Sequence, residues 1–235
     1  MPKLPQIAIG YCRRTQVHGA FAESLLRLCA YDVTHWNILN FRVQPKFGGL
    51  YLNEGRNRLT TQILDQWGDE AEVFISLDTD HDPAPEDIMR LAALCTPERP
   101  VVSSLYYAVD GLGDQYRPSM LRRNAEGNLS SVWDFPSGEL VEVDVVGMGG
   151  CAIRMDLLKQ MRAHNGDHWF DFDTAENGRF MYEDEAFCAR VQEFMGTKIY
   201  VHTGIVLGHF KEVRVAESKK RQASVRPEAQ GKALA

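Results

Sequence analysis

Short apolar runs alternate with amphipathic stretches through the first hundred residues of this chain. Gln6 to Tyr11 predicts a strand, and Phe21, Leu25, Leu26 and Cys29 then recur at helical spacing in a helix from Gly19 to Ala30. A second strand is expected over Asn37 to Val43, and after Gly48-Gly49 a helix from Asn53 to Trp67. Val73-Phe74-Ile75-Ser76-Leu77 is nearly continuously apolar with β-branched and aromatic members, which suits a strand buried on both faces in mid-sheet. Pro83 and Pro85 deny it further ladder bonds, and Pro85 is placed to open a helix over Glu86 to Cys95. Another apolar strand, Val101 to Leu105, follows. Strands alternating with helices indicate a mostly parallel sheet with helices on both faces.

The rhythm breaks after Tyr106-Tyr107. Asp110 to Asn128, rich in Gly, Asp, Arg and Asn, reads as loop with room for one short strand, and Ser130 to Trp133 and Glu139 to Val146 alternate as antiparallel strands do. Gly147-Met148-Gly149-Gly150 reads as a flexible joint before a helix from Met155 to Ala163, and His168-Trp169-Phe170-Asp171-Phe172 as an exposed aromatic and acidic segment. A helix begins near Asp184 with Phe187, Cys188, Val191 and Phe194 facing inward; a last strand covers Lys198 to His202, followed by Ile205 to Phe210. From Ala216 almost nothing is available to bury, so residues 216–235 are expected to be a disordered tail behind a single domain over 1–215.

Candidate chemistry begins where the apolar strand ends, in Asp78, Asp80 and Asp82. Open α/β sheets bind ligands at the carboxyl ends of their strands, and carboxylates this close repel unless a cation lies among them. In an extended segment Asp78 and Asp80 face the same side, which suits magnesium or manganese completed by water and phosphate oxygens. His81 and Asp82 are alternates for that role, and an acidic turn between strand and helix is the plainer reading. Glu183-Asp184-Glu185 lies at a helix start, where the macrodipole favours acids without any function; Asp184, then Glu183, are the candidates for a general base. His209, just after the last strand, can complete a metal sphere as a neutral imidazole.

Composition narrows the class. Charged residues at 25% and hydrophobic ones at 44% fit a globular protein, and the formal charge of −6 argues against a non-specific binder of nucleic acid or membrane surfaces. The basic residues Lys211, Arg214, Lys219, Lys220, Arg221 and Arg226 leave room for a local polyanion contact, with a solubilising tail as the simpler account. Cys12, Cys29, Cys95, Cys151 and Cys188 form no C-x-x-C pair and read as reduced thiols. No signal peptide opens the chain and no apolar run approaches the roughly 20 residues of a membrane span, so a cytoplasmic protein is expected.

Taken in order, Leu77-Asp78-Thr79-Asp80, Glu183-Asp184 and Gly208-His209 resemble the GT-A fold glycosyltransferases, with the small bacterial and phage proteins related to family 2 nearest in look. Gly55-Arg56-Asn57-Arg58 is similar to that family's A-R-N-x helix start. Leu105-Tyr106-Tyr107, and Val143 to Gly147 through Cys151 to Arg154, are similar to its fourth-strand end and its acceptor-side loop and following strand. The resemblance spans residues 6–213. It implies a nucleotide-diphospho-sugar transferase fold: a Rossmann-like, mostly parallel sheet with a small antiparallel acceptor-side addition. It also implies a Mn2+- or Mg2+-dependent transfer from a nucleoside-diphosphate sugar, UDP-linked by default, to a hydroxyl on a glycan, lipid, protein or modified nucleic acid. By the same resemblance Asp78 holds the ribose or the metal, Asp80 and His209 bind the metal, and Asp184 is the base, with Glu183 beside it. Tyr11 to Arg14, with Arg13, line the nucleobase pocket, and Arg56 and Arg58 lie near the base or diphosphate.

The chain departs from the family pattern in places. His81-Asp82 replaces the apolar pair that commonly follows D-x-D, Gly55 stands for Ala, and Gly149-Gly150 suggests an unusually mobile acceptor loop. A sugar-phosphate nucleotidylyltransferase and a non-catalytic nucleotide-sugar-binding protein of the same fold are the alternatives. A phosphohydrolase is disfavoured because His81-Asp82 follows a strand rather than lying in a helix.

Overall fold

The computed structural model describes residues 4–13, 16–47, 51–110 and 115–210. Arg14, Gly48-Gly49, the expected tail and the basic cluster from Lys211 onward therefore lie outside the described residues. The chain begins β1 (Ile7–Arg13), α1 (Gly19–His35), β2 (Val43–Phe47), α2 (Leu52–Trp67), β3 (Val73–Asp78), α3 (Pro85–Leu94) and β4 (Val101–Leu105). Next come β5 (Tyr107–Asp110), β6 (Gln115–Pro118), β7 (Met120–Arg123), β8 (Leu129–Ser131), β9 (Leu140–Val143), β10 (Val145–Val146) and β11 (Gly150–Arg154). The described chain closes with α4 (Met155–Asn165), β12 (Asp173–Thr174), β13 (Phe180–Met181), α5 (Glu183–Met195) and β14 (Ile199–Val206).

Among the described residues the main sheet has seven strands in the order β2-β1-β3-β11-β4-β14-β9. β2, β1 and β3 pair in parallel, as do β4 and β14, whereas β11 runs antiparallel between β3 and β4 and β9 runs antiparallel to β14. Alternate residues of each strand serve opposite faces. Ala8, Phe74, Ile153 and Val101 meet Leu59 and Ile63 of α2, Leu158 of α4 and Phe187 of α5. Ile7, Ile9, Ile75, Ala152 and Val102 meet Phe21 and Leu28 of α1 and Ile88 and Leu91 of α3. The result is the expected α/β layering, with β3 buried along its apolar length as its composition requires. Smaller sheets, β10-β7-β8, β5-β6 and β12-β13, add the antiparallel region.

Several expectations are corrected. The strand expected over Asn37 to Val43 is a turn followed by a later strand. The buried Asp32 carboxylate accepts the amides of Ile38, Leu39 and Asn40, and Asn37, Asn40 and Phe41 take positive φ. That side-chain cap competes successfully with the ladder, so pairing begins only at Val43. In α1 the inner face is Phe21, Ser24, Leu28 and Asp32, and Leu26 is 72% exposed. Between Asp110 and Asn128 the chain forms β6 and β7, paired with β5 and β8, rather than one short strand. The Glu139 to Val146 stretch breaks at Asp144, whose carboxylate takes the Arg123 amide at 2.6 Å, and the two parts join different sheets. Trp169 and Phe170 are buried, held by Trp169 Nε1 donating to the Leu158 carbonyl and the Phe170 amide donating to Asn57 Oδ1. The last strand continues past His202 to Val206 through an irregularity in its register.

The glycine joint is also corrected. Gly150 starts β11 and is buried, and a Cβ there would lie 2.2 Å from Ser104 Oγ. A Cβ on Gly149 would lie 2.1 Å from the His81 ring. These glycines permit close packing in the core, not free motion.

Candidate functional site

β3 delivers Asp78 at its last residue, opposite Cys12 of β1, and the following turn presents Asp80 and His81. Two clusters form there. The first is organised by Arg56 of α2, which is only 4% exposed. Its guanidinium donates to Asp78 Oδ1 at 3.1 Å and to Ser76 Oγ at 3.4 Å, and its Nε lies 3.8 Å from both Glu183 Oε1 and Asp184 Oδ1. Burial alone would lower the basicity of Arg56, but Asp78, Asp184 and Glu183 outweigh it and keep the guanidinium firmly charged.

One cation cannot neutralise three carboxylates, and the excess falls on Asp184. Its burial pushes its pKa up to about 7, with Arg56 opposing, Glu183 and Asp78 adding to the rise, and the Met148 amide partly countering it. The Asp184 side chain as a whole is half-buried, but its Oδ1 is shut off from solvent and has no hydrogen-bond partner among the described residues. Asp184 opens onto a cleft of about 570 Å³ lined also by Tyr106, Ala108, Ser119, Val146 and Gly147.

The second cluster is Asp80, His81 and His209. His209 Nε2 lies 3.2 Å from Asp80 Oδ2, and its Nδ1 is 2.9 Å from the Tyr107 carbonyl. His81 is fully buried, its Nδ1 2.6 Å from the Gly149 carbonyl, its ring packed on Tyr106 and His209 at centroid distances of 4.5 and 4.7 Å. Burial holds its pKa below the ordinary histidine value. One ligand atom from each of the three residues lies within 4.8 Å of the others, an arrangement that can hold a metal ion. The orphaned His81 Nε2, buried with no partner among the described residues, fits that use.

The residues singled out in the sequence are thus divided. Asp80 and His209 come together, as do Asp78, Arg56, Glu183 and Asp184. Asp78 faces Arg56 and is not one of the three metal-capable residues. Tyr11, half-buried and edge-on to Phe21 at 5.0 Å, and the exposed Arg13 lie at the carboxyl end of β1. Arg58 does not join them. It is two residues out of phase with Arg56 on α2, 68% exposed, and bonded to Glu54 at 3.2 Å. Asp82 packs against Gly208, where a Cβ would lie 2.2 Å from its Oδ1. The sequence offers His81 only as an alternate ligand and gives no sign that Gly149 belongs to the site. The two are 68 residues apart and no local pattern joins them.

No known family model matches this sequence, and no curated protein matches it. Among solved structures, A197 from STIV is similar over 88% of this chain and 86% of its own, at 15% identity and a TM-score of 0.59. A glycosyltransferase involved in the glycosylation of the major capsid of PBCV-1 is 15% identical, with 81% of this chain and 76% of its own covered and a TM-score of 0.42. The 4-diphosphocytidyl-2C-methyl-D-erythritol synthase of Anaerococcus prevotii is 12% identical, with 88% and 90% covered and a TM-score of 0.44. The last two are too loose to carry argument, and the first bears on fold alone. No helix among the described residues is long and apolar enough to cross a membrane. The architecture is the GT-A-like α/β fold.

Proposed function

We propose that this chain is a metal-dependent glycosyltransferase that moves a sugar from a nucleoside-diphosphate sugar, UDP-linked by resemblance, to an acceptor hydroxyl. The observation that carries the reading is the meeting, at the carboxyl end of β3, of a cation-capable group and a carboxylate of raised pKa that opens on a cleft. A divalent ion such as Mn2+ or Mg2+, held by Asp80 and His209 with His81 able to complete the set, would supply Lewis-acid stabilisation of the charge left on the departing diphosphate.

The remaining work falls to the chain. Arg56 fixes the Asp78 carboxylate toward the space where a ribose would lie, and Tyr11 and Arg13 flank that space for the nucleobase. Asp184, titrating near neutrality, takes the proton of the acceptor hydroxyl as the new bond forms, and Glu183 is the second candidate for that role. The cleft beside Asp184 has the size of a small-ligand site.

A panel of nucleotide sugars tested by thermal shift with and without Mn2+ examines the reading directly. The expected result is stabilisation by one nucleotide class only when the ion is present, with slow Mn2+-dependent hydrolysis that Asp80→Asn lowers about 100-fold or more. Pyrophosphate release from a nucleoside triphosphate and a sugar phosphate would assign the chain to the nucleotidyltransferases instead. Binding that is indifferent to both the ion and Asp80 would refute the transferase reading.

A further inference from the structure

We propose that His81 Nε2, Asp80 and His209 Nε2 together form a two-imidazole, one-carboxylate cation site that selects a transition-metal ion over magnesium. The inference rests on the reading above for the ion's role in sugar transfer, but not for the ion's presence.

The Gly149 oxygen only accepts, so His81 Nδ1, at 2.6 Å, carries the proton of the neutral ring. Nε2 is then a lone pair, fully buried and without a partner among the described residues. Leaving such an atom unpaired costs free energy, and the fold maintains the arrangement deliberately. Gly149 approaches so closely that no side chain fits beneath the ring. Tyr106 and His209 hold the ring from other sides. His209 shows the same anchoring, Nδ1 to the Tyr107 carbonyl at 2.9 Å, which turns Nε2 toward Asp80 Oδ2. A ring nitrogen tied to a backbone carbonyl leaves the other able to ligate, which is the support that metal-ligating histidines have, and one donor atom from each of the three residues lies within 4.8 Å of the others.

The donor set decides the ion. Magnesium prefers oxygen ligands and retains its waters, whereas imidazole suits the later first-row ions, and two nitrogens with one carboxylate leave positions open for diphosphate oxygens.

The test uses the metal-free full chain, titrated with Co2+ and read by visible absorption, with Mg2+ as competitor. The expected result is saturable d–d bands at about one ion per chain that a roughly 100-fold excess of Mg2+ does not remove. His81→Gln is expected to weaken Co2+ by roughly 100-fold and shift the bands. Should that variant fail to fold, histidine ring signals of the wild-type protein provide a second reading: Zn2+ should shift two imidazoles at once. Unchanged Co2+ affinity and spectrum in a folded His81→Gln protein, displacement by equimolar Mg2+, or Zn2+ perturbing His209 alone would each overturn the proposal. Cobalt held by both imidazoles in a protein that ignores every nucleotide sugar would leave this inference standing and remove the transferase reading.

Discussion

Two groups of charge stand side by side at the tip of β3, and the protein balances them in opposite ways. Around Arg56, the compensating charge is supplied by the chain itself: a buried guanidinium is shared by Asp78, Glu183 and Asp184. Around Asp80, two imidazoles and a carboxylate converge with a buried nitrogen left over. The first cluster carries its own cation, although one guanidinium does not satisfy three carboxylates and leaves Arg56 Nε and Asp184 Oδ1 without hydrogen-bond partners among the described residues; the second has no guanidinium or ammonium among its three residues and can hold a metal ion. The difference teaches that acids near one another are not interchangeable. Their function follows from which positive charge the fold has already assigned to them.

The largest way to break the comparison is to remove the internal cation. Arg56→Ala leaves three carboxylates crowded together, and a loss of about 3–5 kcal/mol in denaturant unfolding is expected, partly recovered at mildly acidic pH as they protonate. A small loss with no pH dependence would show that the cluster is not held by Arg56.

Gly149→Ala attacks the other cluster from behind. The added methyl meets the His81 ring at 2.1 Å, so about 1–3 kcal/mol of stability and the alignment of the ring should go together. Cobalt bands equal to wild type in this variant would mean the ring tolerates the displacement.

Asp184→Asn sharpens the contrast by pH. The folded protein retains the Asp184 proton up to about pH 7, while the unfolded chain releases it near its ordinary value. The folded state therefore binds more protons across that window, and wild-type stability attributable to this group falls as pH rises through it. In metal-free buffer the variant should gain about 1–2 kcal/mol over wild type at pH 8, a discounted figure because the side chain is only half-buried, and nothing at pH 4. Scans at both pH values decide it, and an equal effect at the two would dismiss the raised pKa. The same variant should lose transfer activity by about 10²–10⁴.

The smallest effect is expected of Arg58→Ala. An exposed pair with Glu54 contributes less than about 0.5 kcal/mol, and neither nucleotide-sugar nor cobalt binding should change. A clear loss of nucleotide binding would return Arg58 to the donor site.

The amino-acid sequence by itself determined the alternation of strands and helices up to Leu105, the two-sided burial of Val73 to Leu77 and its acidic end, because period and apolar content report how each segment meets its immediate surroundings. It also offered Asp78, Asp80, Asp184 and His209 as candidates for the site. Only the tertiary structure decided the rest. β11 enters antiparallel between β3 and β4, Asp32 converts an expected strand into a turn, and Trp169 and Phe170 become buried. It also assigned Arg56 to Asp78 and brought His81 onto the Gly149 carbonyl. The reason is one of range: each of these outcomes depends on a partner that the side chain meets only through the chain's path in space. A backbone carbonyl, moreover, has no residue-type signature by which a sequence can announce it.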